Sequence, residues 1–179
     1  MTLDELKARA NYIPMTSLAA QIEAAHDAGR YCVIFDRNEN CHVYFTYKAT
    51  MRDFHKETIG VKLGTKTRED ALEELRSGLV YSMRLGDNFV INSDNLNPDF
   101  KTEWQDDEIF PLDEICNFSE WREGEKYMKI VKEEENKDLL GTPKMFVMQP
   151  SFTMCFLYKY QSDARMVEVM NNIPNSSTM

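Results

Sequence analysis

Apolar residues along the chain fall into stretches with helical spacing and short continuous runs. Leu18 and Ile22 repeat at helical spacing after two good N-cap residues, and Gly29 stands where such a helix would end. The continuous apolar run over 31–35 predicts a strand buried on both faces, as in a parallel sheet. We therefore interpret residues 29–36 as a central strand that ends on an aspartate.

The middle of the chain predicts two further helices and a second strand. One helix is expected over 50–64. Another is expected over 67–86, where Thr67 and Asp70 form a near capping box at its start. The apolar residues 89–91 predict a strand after it.

Four other segments leave alternatives open. Alternation over 41–47 is compatible with the second strand of a hairpin, but its apolar residues also fit the start of a helix. Residues 127–131 are a strand or the start of a charged helix. The runs over 145–148 and 152–158 predict an edge or pre-strand piece and then a strand. Residues 166–170 are apolar enough for a last strand or helix.

This order of elements predicts an α/β protein with a three-layer αβα sandwich and a mainly parallel sheet. We expect a polar lead-in over 1–15 and a single domain over 16–170. An irregular aromatic and acidic insertion occupies 99–125, and a polar tail follows over 171–179.

The composition of the chain disfavours several classes of partner and of cellular location. The formal net charge of −9 disfavours nucleic acid and anionic membrane as partners, since both require a basic face. No apolar run approaches the length that spans a bilayer, and the charged N-terminus lacks the apolar core of a signal peptide. We expect a cytoplasmic protein, with its four cysteines as buried free thiols rather than a metal or disulfide site.

The loop after the strand over 29–36 lies where a phosphate-binding loop would be. It contains no glycine and no Gly-Lys-Ser/Thr, and its acids Asp36 and Glu39 would repel phosphate. We predict no cofactor and no enzymatic activity. If a nucleotide does bind, the nearest residues are Asp36, Arg37, Asn38, Asn40 and His42. A further alternative is a metal-dependent or thiol enzyme that uses Cys41, His42 and Asp94.

The insertion over 99–125 carries five large aromatic rings that cannot all remain in water. They either fold back onto the sheet or form a docking surface for another chain. The candidates for partner binding are Phe100, Trp104, Phe110, Phe118 and Trp121.

Short motifs in the chain resemble the late, non-hydrolysing AAA modules of dynein heavy chains. They are a helix that ends in Gly29-Arg30 before an apolar strand, a Leu85-Gly86-Asp87 step before another strand, and the strand beginning at Phe152. The resemblance implies a degenerate P-loop-like topology without Walker A, in which a helix begins near His42, and on this ground we favour the helical alternative for 41–47. It also implies a structural or adaptor subunit that binds other proteins of a larger assembly, in cilia or on microtubules.

Overall fold

A computed structural model of the chain describes residues 1–176 and 179 and shows a parallel sheet with helices on both faces. The helices are α1 (Leu3–Arg9), α2 (Leu18–Asp27), α3 (Asn40–Lys48), α4 (Phe54–Lys62), α5 (Arg68–Leu85), α6 (Leu112–Ile115), α7 (Phe118–Trp121), α8 (Gly124–Met128) and α9 (Asp163–Asn172). The strands are β1 (Cys32–Asp36), β2 (Thr50–Arg52), β3 (Asn88–Asp94) and β4 (Thr153–Lys159). Short 3₁₀ turns occupy Met15–Ser17 and Glu133–Glu135.

The sheet has the strand order β1-β4-β3-β2, and every pair in it is parallel. The prediction of a mainly parallel sheet is confirmed. Since β1 and β2 follow each other in the chain but lie at opposite edges, the connection through α3 crosses the whole sheet. Strands β3 and β4 fill the middle, and their side chains alternate between two buried clusters.

Each face of the sheet packs against its own helical layer, which confirms the three-layer sandwich. On one face, residues of α2 and α3 pack on Val90, Cys155 and Leu157. On the other face, α4, α5, α9 and the connection over 95–152 pack on Phe89, Ile91 and other apolar residues of β3 and β4. The alternation along each strand divides its residues between the two layers.

Helix boundaries follow the local signals closely. The Thr67 hydroxyl accepts a hydrogen bond from the Asp70 amide, and the Asp70 carboxylate accepts one from the Thr67 amide, each at 3.0 Å. At the other end of α5, Gly86 has φ of +73°, a left-handed conformation that favours glycine. Residues 41–47 lie within α3, so the helical alternative is correct there.

The predicted start of a helix at residue 50 is wrong. Residues 50–52 form β2 instead of opening a helix, because Thr50 and Met51 pair in parallel with Phe89 and Val90 of β3. The helix begins later, at Phe54. A three-residue strand has too few residues for its pattern to be distinguished from a helix start.

The ambiguous segments of the second half are also resolved. Residues 124–128 form the short helix α8, which ends before most of the predicted segment 127–131. Residues 145–148 have no regular structure, although Phe146 and Met148 are buried. Residues 166–170 belong to α9. The predicted tail over 171–179 begins inside α9 and includes the buried Ile173, while Ser177 and Thr178 lie outside the described residues.

The interpretation of 29–36 as a central strand is also wrong. Strand β1 lies at an edge of the sheet and pairs only with β4, and all five of its residues are half-buried. A continuous apolar run in the sequence indicates that both faces of a strand are covered. It does not indicate how many neighbouring strands pair with that strand.

Within the described residues, no helix has both the length and the apolarity required to cross a bilayer.

One buried cation joins α5 to the long connection between β3 and β4. The guanidinium of Arg76 donates two hydrogen bonds to Glu73 and two to Glu135, at 2.6–2.9 Å, and one to the carbonyl of Ile130 at 2.7 Å. Arg76 is only 3% exposed. The hydrogen bonds from Arg76 lower the pKa of Glu73 from 4.5 to about 2.

This network predicts a specific loss of stability in acid. A carboxylate with a lowered pKa in the folded state stabilises the protein above its unfolded pKa, and that stabilisation is lost as the pH falls. For Glu73 the loss should occur between pH 4.5 and about 2. Urea unfolding across this range should show a shallower pH dependence for Glu73→Gln than for the unsubstituted chain. Glu134→Gln, which changes an exposed carboxylate nearby, should leave the pH dependence unchanged, and an equal effect of both variants would contradict the assignment.

Candidate functional site

The carboxyl ends of the four parallel strands open into a cavity of about 380 Å³. In open α/β sheets this edge is where ligands bind, because the loops that leave the strands separate there. The polar residues that line the cavity come from all four strand ends and from α3 and α4. They are Asp36, Glu39, His42, Asp53, His55, Lys56, Asn92, Asp94 and Lys159.

The loop after β1 is folded around the carboxylate of Asp36. One oxygen accepts the amide of Asn38 at 3.0 Å, and the other accepts the amide of Cys41, in the first turn of α3, at 2.7 Å. Glu39 takes up a left-handed conformation with φ of +60° between them. Asp36 therefore binds the amide groups that a phosphate would need at the start of this helix.

The cation at the end of β4 is also paired within the chain. Lys159 donates a hydrogen bond to the carboxylate of Glu39, which raises the pKa of Lys159. The pair joins the end of β4 to the loop after β1. An incoming phosphate would have to compete with Glu39 for this ammonium group.

A second polar group surrounds Asp53, which follows β2. Its carboxylate accepts hydrogen bonds from Lys56 and from the amide of Asn92, the latter at 2.9 Å, and His42 Nε2 lies 3.7 Å away. Partial burial raises the pKa of Asp53, but the hydrogen bonds from Lys56 and Asn92 outweigh that effect and the pKa is lowered. Asp53 is thus held as an anion that links β2 to β3.

The alternative of a thiol enzyme is contradicted by the geometry. Cys41 packs into the core beside Met15, with 3.9 Å between their sulfur atoms, whereas His42 faces Asp53. Burial and the nearby carboxylate of Asp36 raise the pKa of the Cys41 thiol to about 12, which opposes formation of the thiolate. Consecutive residues on a helix point about 100° apart, so Cys41 and His42 cannot act as a pair.

The metal alternative receives no support either. Among the residues that the structure describes, no group of three or more His, Cys, Asp or Glu side chains is arranged to hold a metal ion.

The five residues predicted nearest to a nucleotide do not form one site. Asp36 and His42 line the cavity at the strand ends. Arg37 turns away and stacks over the rings of Tyr160 and Tyr12, at 3.9 and 5.0 Å from their centroids. A different cavity, beside the outer edge of β1, is lined by Asp36, Arg37, Asn38 and Asn40 together, but not by His42. The residues missed by sequence reasoning, among them Asp53 and Asn92, reach the site through pairing of β2 with β3.

The predicted docking surface of aromatic residues is instead part of the core. Phe100, Trp104, Phe110 and Trp121 are buried, and Phe118 is half-buried. The ring of Phe100 lies 5.2 Å from that of Phe54 and 5.4 Å from that of Phe156 on β4. The rings fold back because this face of the sheet is apolar and requires cover, so the four buried rings are unavailable to another chain.

Comparison of the chain with protein-family models, with curated proteins and with solved structures finds no match in any of the three.

The core position of the aromatic rings predicts a large effect on stability. Phe100→Ala should lower the free energy of unfolding by about 3–5 kcal/mol, because it removes a fully buried ring from a packed core. Tyr47→Ala, at a position that is 81% exposed, should change it by less than about 0.5 kcal/mol. Equilibrium unfolding in urea measures both, and a small effect of Phe100→Ala would show that this ring is dispensable for the fold.

The role of Asp36 predicts a difference between two substitutions. Asp36→Ala should destabilise the chain by about 0.5–2 kcal/mol, the usual cost of losing a side chain that caps a helix. Asp36→Asn keeps an acceptor oxygen and should retain part of the stability. Urea unfolding monitored by circular dichroism tests this order, and equal stability of the two variants would argue against a capping role.

Proposed function

We propose that this protein is a non-enzymatic structural or adaptor subunit of a larger protein assembly. The observation that carries the proposal is the carboxylate of Asp36, which accepts the amides of Asn38 and Cys41. An anionic ligand at the start of α3 would have to displace this carboxylate and would be repelled by its negative charge. The loop is therefore suited to holding β1 and α3 together.

The paired lysines support the same conclusion. Lys159 is bound to Glu39 and Lys56 is bound to Asp53, so both ammonium groups of the cavity already have a carboxylate partner. Of the polar residues at the strand ends, four are acidic. A site with this balance of charge disfavours a triphosphate, whose binding depends on converging amides and unpaired cations.

The resemblance to the late AAA modules of dynein heavy chains indicates the setting of such a subunit. Those modules keep an α/β fold without a functional phosphate loop, as expected for a domain with a structural role. On that resemblance we extend the proposal to a cytoplasmic assembly of the ciliary axoneme or of microtubules. The net charge of −9 favours a basic partner surface and an association that weakens as salt is added.

The runner-up is a nucleotide-binding protein with an atypical phosphate loop. The feature in its favour is the cavity itself, which lies at the edge of the sheet where α/β proteins bind ligands. His55, which lines it, has a buried Nδ1 atom without a hydrogen-bond partner among the described residues. One measurement separates the two proposals.

We expect thermal unfolding to be unchanged by ATP, ADP or GTP with Mg²⁺. A ligand present at about 100 times its Kd stabilises the folded state by about 2.7 kcal/mol, which raises the Tm by several degrees. An established nucleotide-binding protein run in the same buffer shows that the assay detects such a shift. A reproducible rise in the Tm of this chain would replace the adaptor proposal with the nucleotide-binding one.

The assembly itself is tested by cross-linking of the native protein in cell extract. The adaptor proposal expects specific cross-links to other proteins and elution well above 20.9 kDa in size-exclusion chromatography. Elution of the native protein as a free monomer at low salt would contradict it.

A further inference from the structure

Two of the four cysteines occupy directly paired positions in the sheet. Cys32 is the first residue of β1, and its register partner in the parallel ladder is Cys155 of β4. Neighbouring strands lie about 4.7–4.9 Å apart, and disulfide-bonded cysteines usually have their Cα atoms about 4.4–6.8 Å apart. Both side chains pack on the same face of the sheet, in the cluster with α2 and α3. The backbone therefore holds the two thiols at a separation from which a disulfide can form.

The two thiols differ in exposure and in acidity. Cys155 is fully buried, whereas Cys32 is half-buried at the start of an edge strand. A hydrogen bond with the Cys155 thiol lowers the pKa of Cys32, and this effect together with the positive charge of Arg30 outweighs partial burial. The hydrogen bond with Cys32 and complete burial raise the pKa of Cys155. Of this pair, Cys32 more readily forms the thiolate, which is the nucleophile.

The remaining two cysteines lack this combination. Cys41 and Cys116 are both buried, and burial raises the pKa of each thiol. Cys116 also lies in the cluster on the opposite face of the sheet, away from the paired thiols. Oxidation selects thiols that are both accessible and readily ionised, and a second thiol beside them resolves the product. Among the four cysteines, Cys32 is the one that meets these conditions.

We propose that Cys32 is a site of reversible oxidation by small disulfides such as oxidised glutathione, and that Cys155 resolves the product into a disulfide. This bond ties the edge strand β1 covalently to the neighbouring strand β4. The inference goes beyond the adaptor proposal and does not depend on it, because it concerns thiols inside the sheet and not a surface for a partner.

The reaction consists of two thiol–disulfide exchanges. The Cys32 thiolate attacks one sulfur of oxidised glutathione, whose S–S bond breaks so that one glutathione thiolate leaves. The Cys155 thiol then loses its proton and attacks the Cys32 sulfur of the mixed disulfide, which releases the second glutathione thiolate. The two departing thiolates take up the two protons of the cysteines. The protein loses two electrons, and one oxidised glutathione is reduced to two molecules of glutathione.

The test exposes the folded, reduced protein to oxidised glutathione for increasing times. Each sample is then unfolded in acid, its free thiols are alkylated, and intact mass and peptide mapping identify the oxidised cysteines. We expect a product that is lighter by two hydrogen atoms before alkylation, in which Cys32 is bonded to Cys155. Cys41 and Cys116 should remain free thiols and react at least about tenfold more slowly. Treatment with dithiothreitol should return the unmodified chain.

Three variants separate the roles of the cysteines. Cys155→Ala should stop the reaction at the mixed disulfide, so that the chain gains the mass of one glutathione at Cys32. Cys32→Ala should abolish both products. Cys116→Ala, a matched change of a buried cysteine outside the pair, should leave the reaction of the pair unchanged. If Cys155→Ala does not fold, the peptide map of the unsubstituted protein still decides the question.

Four results would overturn the proposal. They are the absence of any reaction at Cys32, a bond from Cys32 to Cys41 or to a second chain, a mixed disulfide that persists in the unsubstituted protein, and equal rates for the buried cysteines. Equal rates would show that oxidation only follows unfolding. None of these results bears on the adaptor proposal, whereas stabilisation by nucleotide would remove the adaptor proposal and leave the reaction of Cys32 unaffected.

Discussion

The two central strands, β3 and β4, are apolar on both faces, and the rest of the chain is arranged to keep both faces from water. Val90 and Cys155 require cover on one side, and Ile91 and Phe156 require it on the other. Helices α2 and α3 are enough for the first face. The second face is larger and is covered by α5, α9 and the long connection over 95–152, whose aromatic rings fill the space that the helices leave.

This constraint explains why a long irregular connection is part of the core. Residues 95–152 contain little regular structure but supply Phe100, Trp104, Phe110 and Trp121 to the sheet. The connection is joined to α5 by Arg76, which binds Glu135 and the carbonyl of Ile130. Burial of a guanidinium is favourable only when its donors are paired, and here all three of its nitrogens are.

The carboxyl edge and the outer edge of the sheet have opposite characters. At the carboxyl edge the polar groups are largely paired with one another: Asp36 with amides, Glu39 with Lys159, and Asp53 with Lys56 and Asn92. At the outer edge of β1, no hydrogen bond among the described residues reaches the backbone groups of Val33 and Phe35, which border a second cavity.

The amino-acid sequence alone was sufficient for the fold class and for the features that depend on neighbouring residues. The capping box of Thr67, the end of α5 at Gly86, the strands β3 and β4 and the lack of a phosphate-binding loop are all local, and each could be predicted. The local pattern left a strand and a helix open for 41–47, and the helix, which is correct, was favoured on the resemblance alone.

Only the tertiary structure decided which residues meet. Strand β2 is too short to recognise by pattern and exists because it pairs with β3. An apolar run could not show that β1 lies at an edge, because side chains report the faces of a strand and not its hydrogen-bonding neighbours. The residues around Asp53 come from separate elements, and Arg37 leaves the site because Tyr12 and Tyr160 offer it aromatic faces. Interactions between residues close in the sequence thus determined the secondary-structure elements. The order of the strands in the sheet determined which side chains come together in a site.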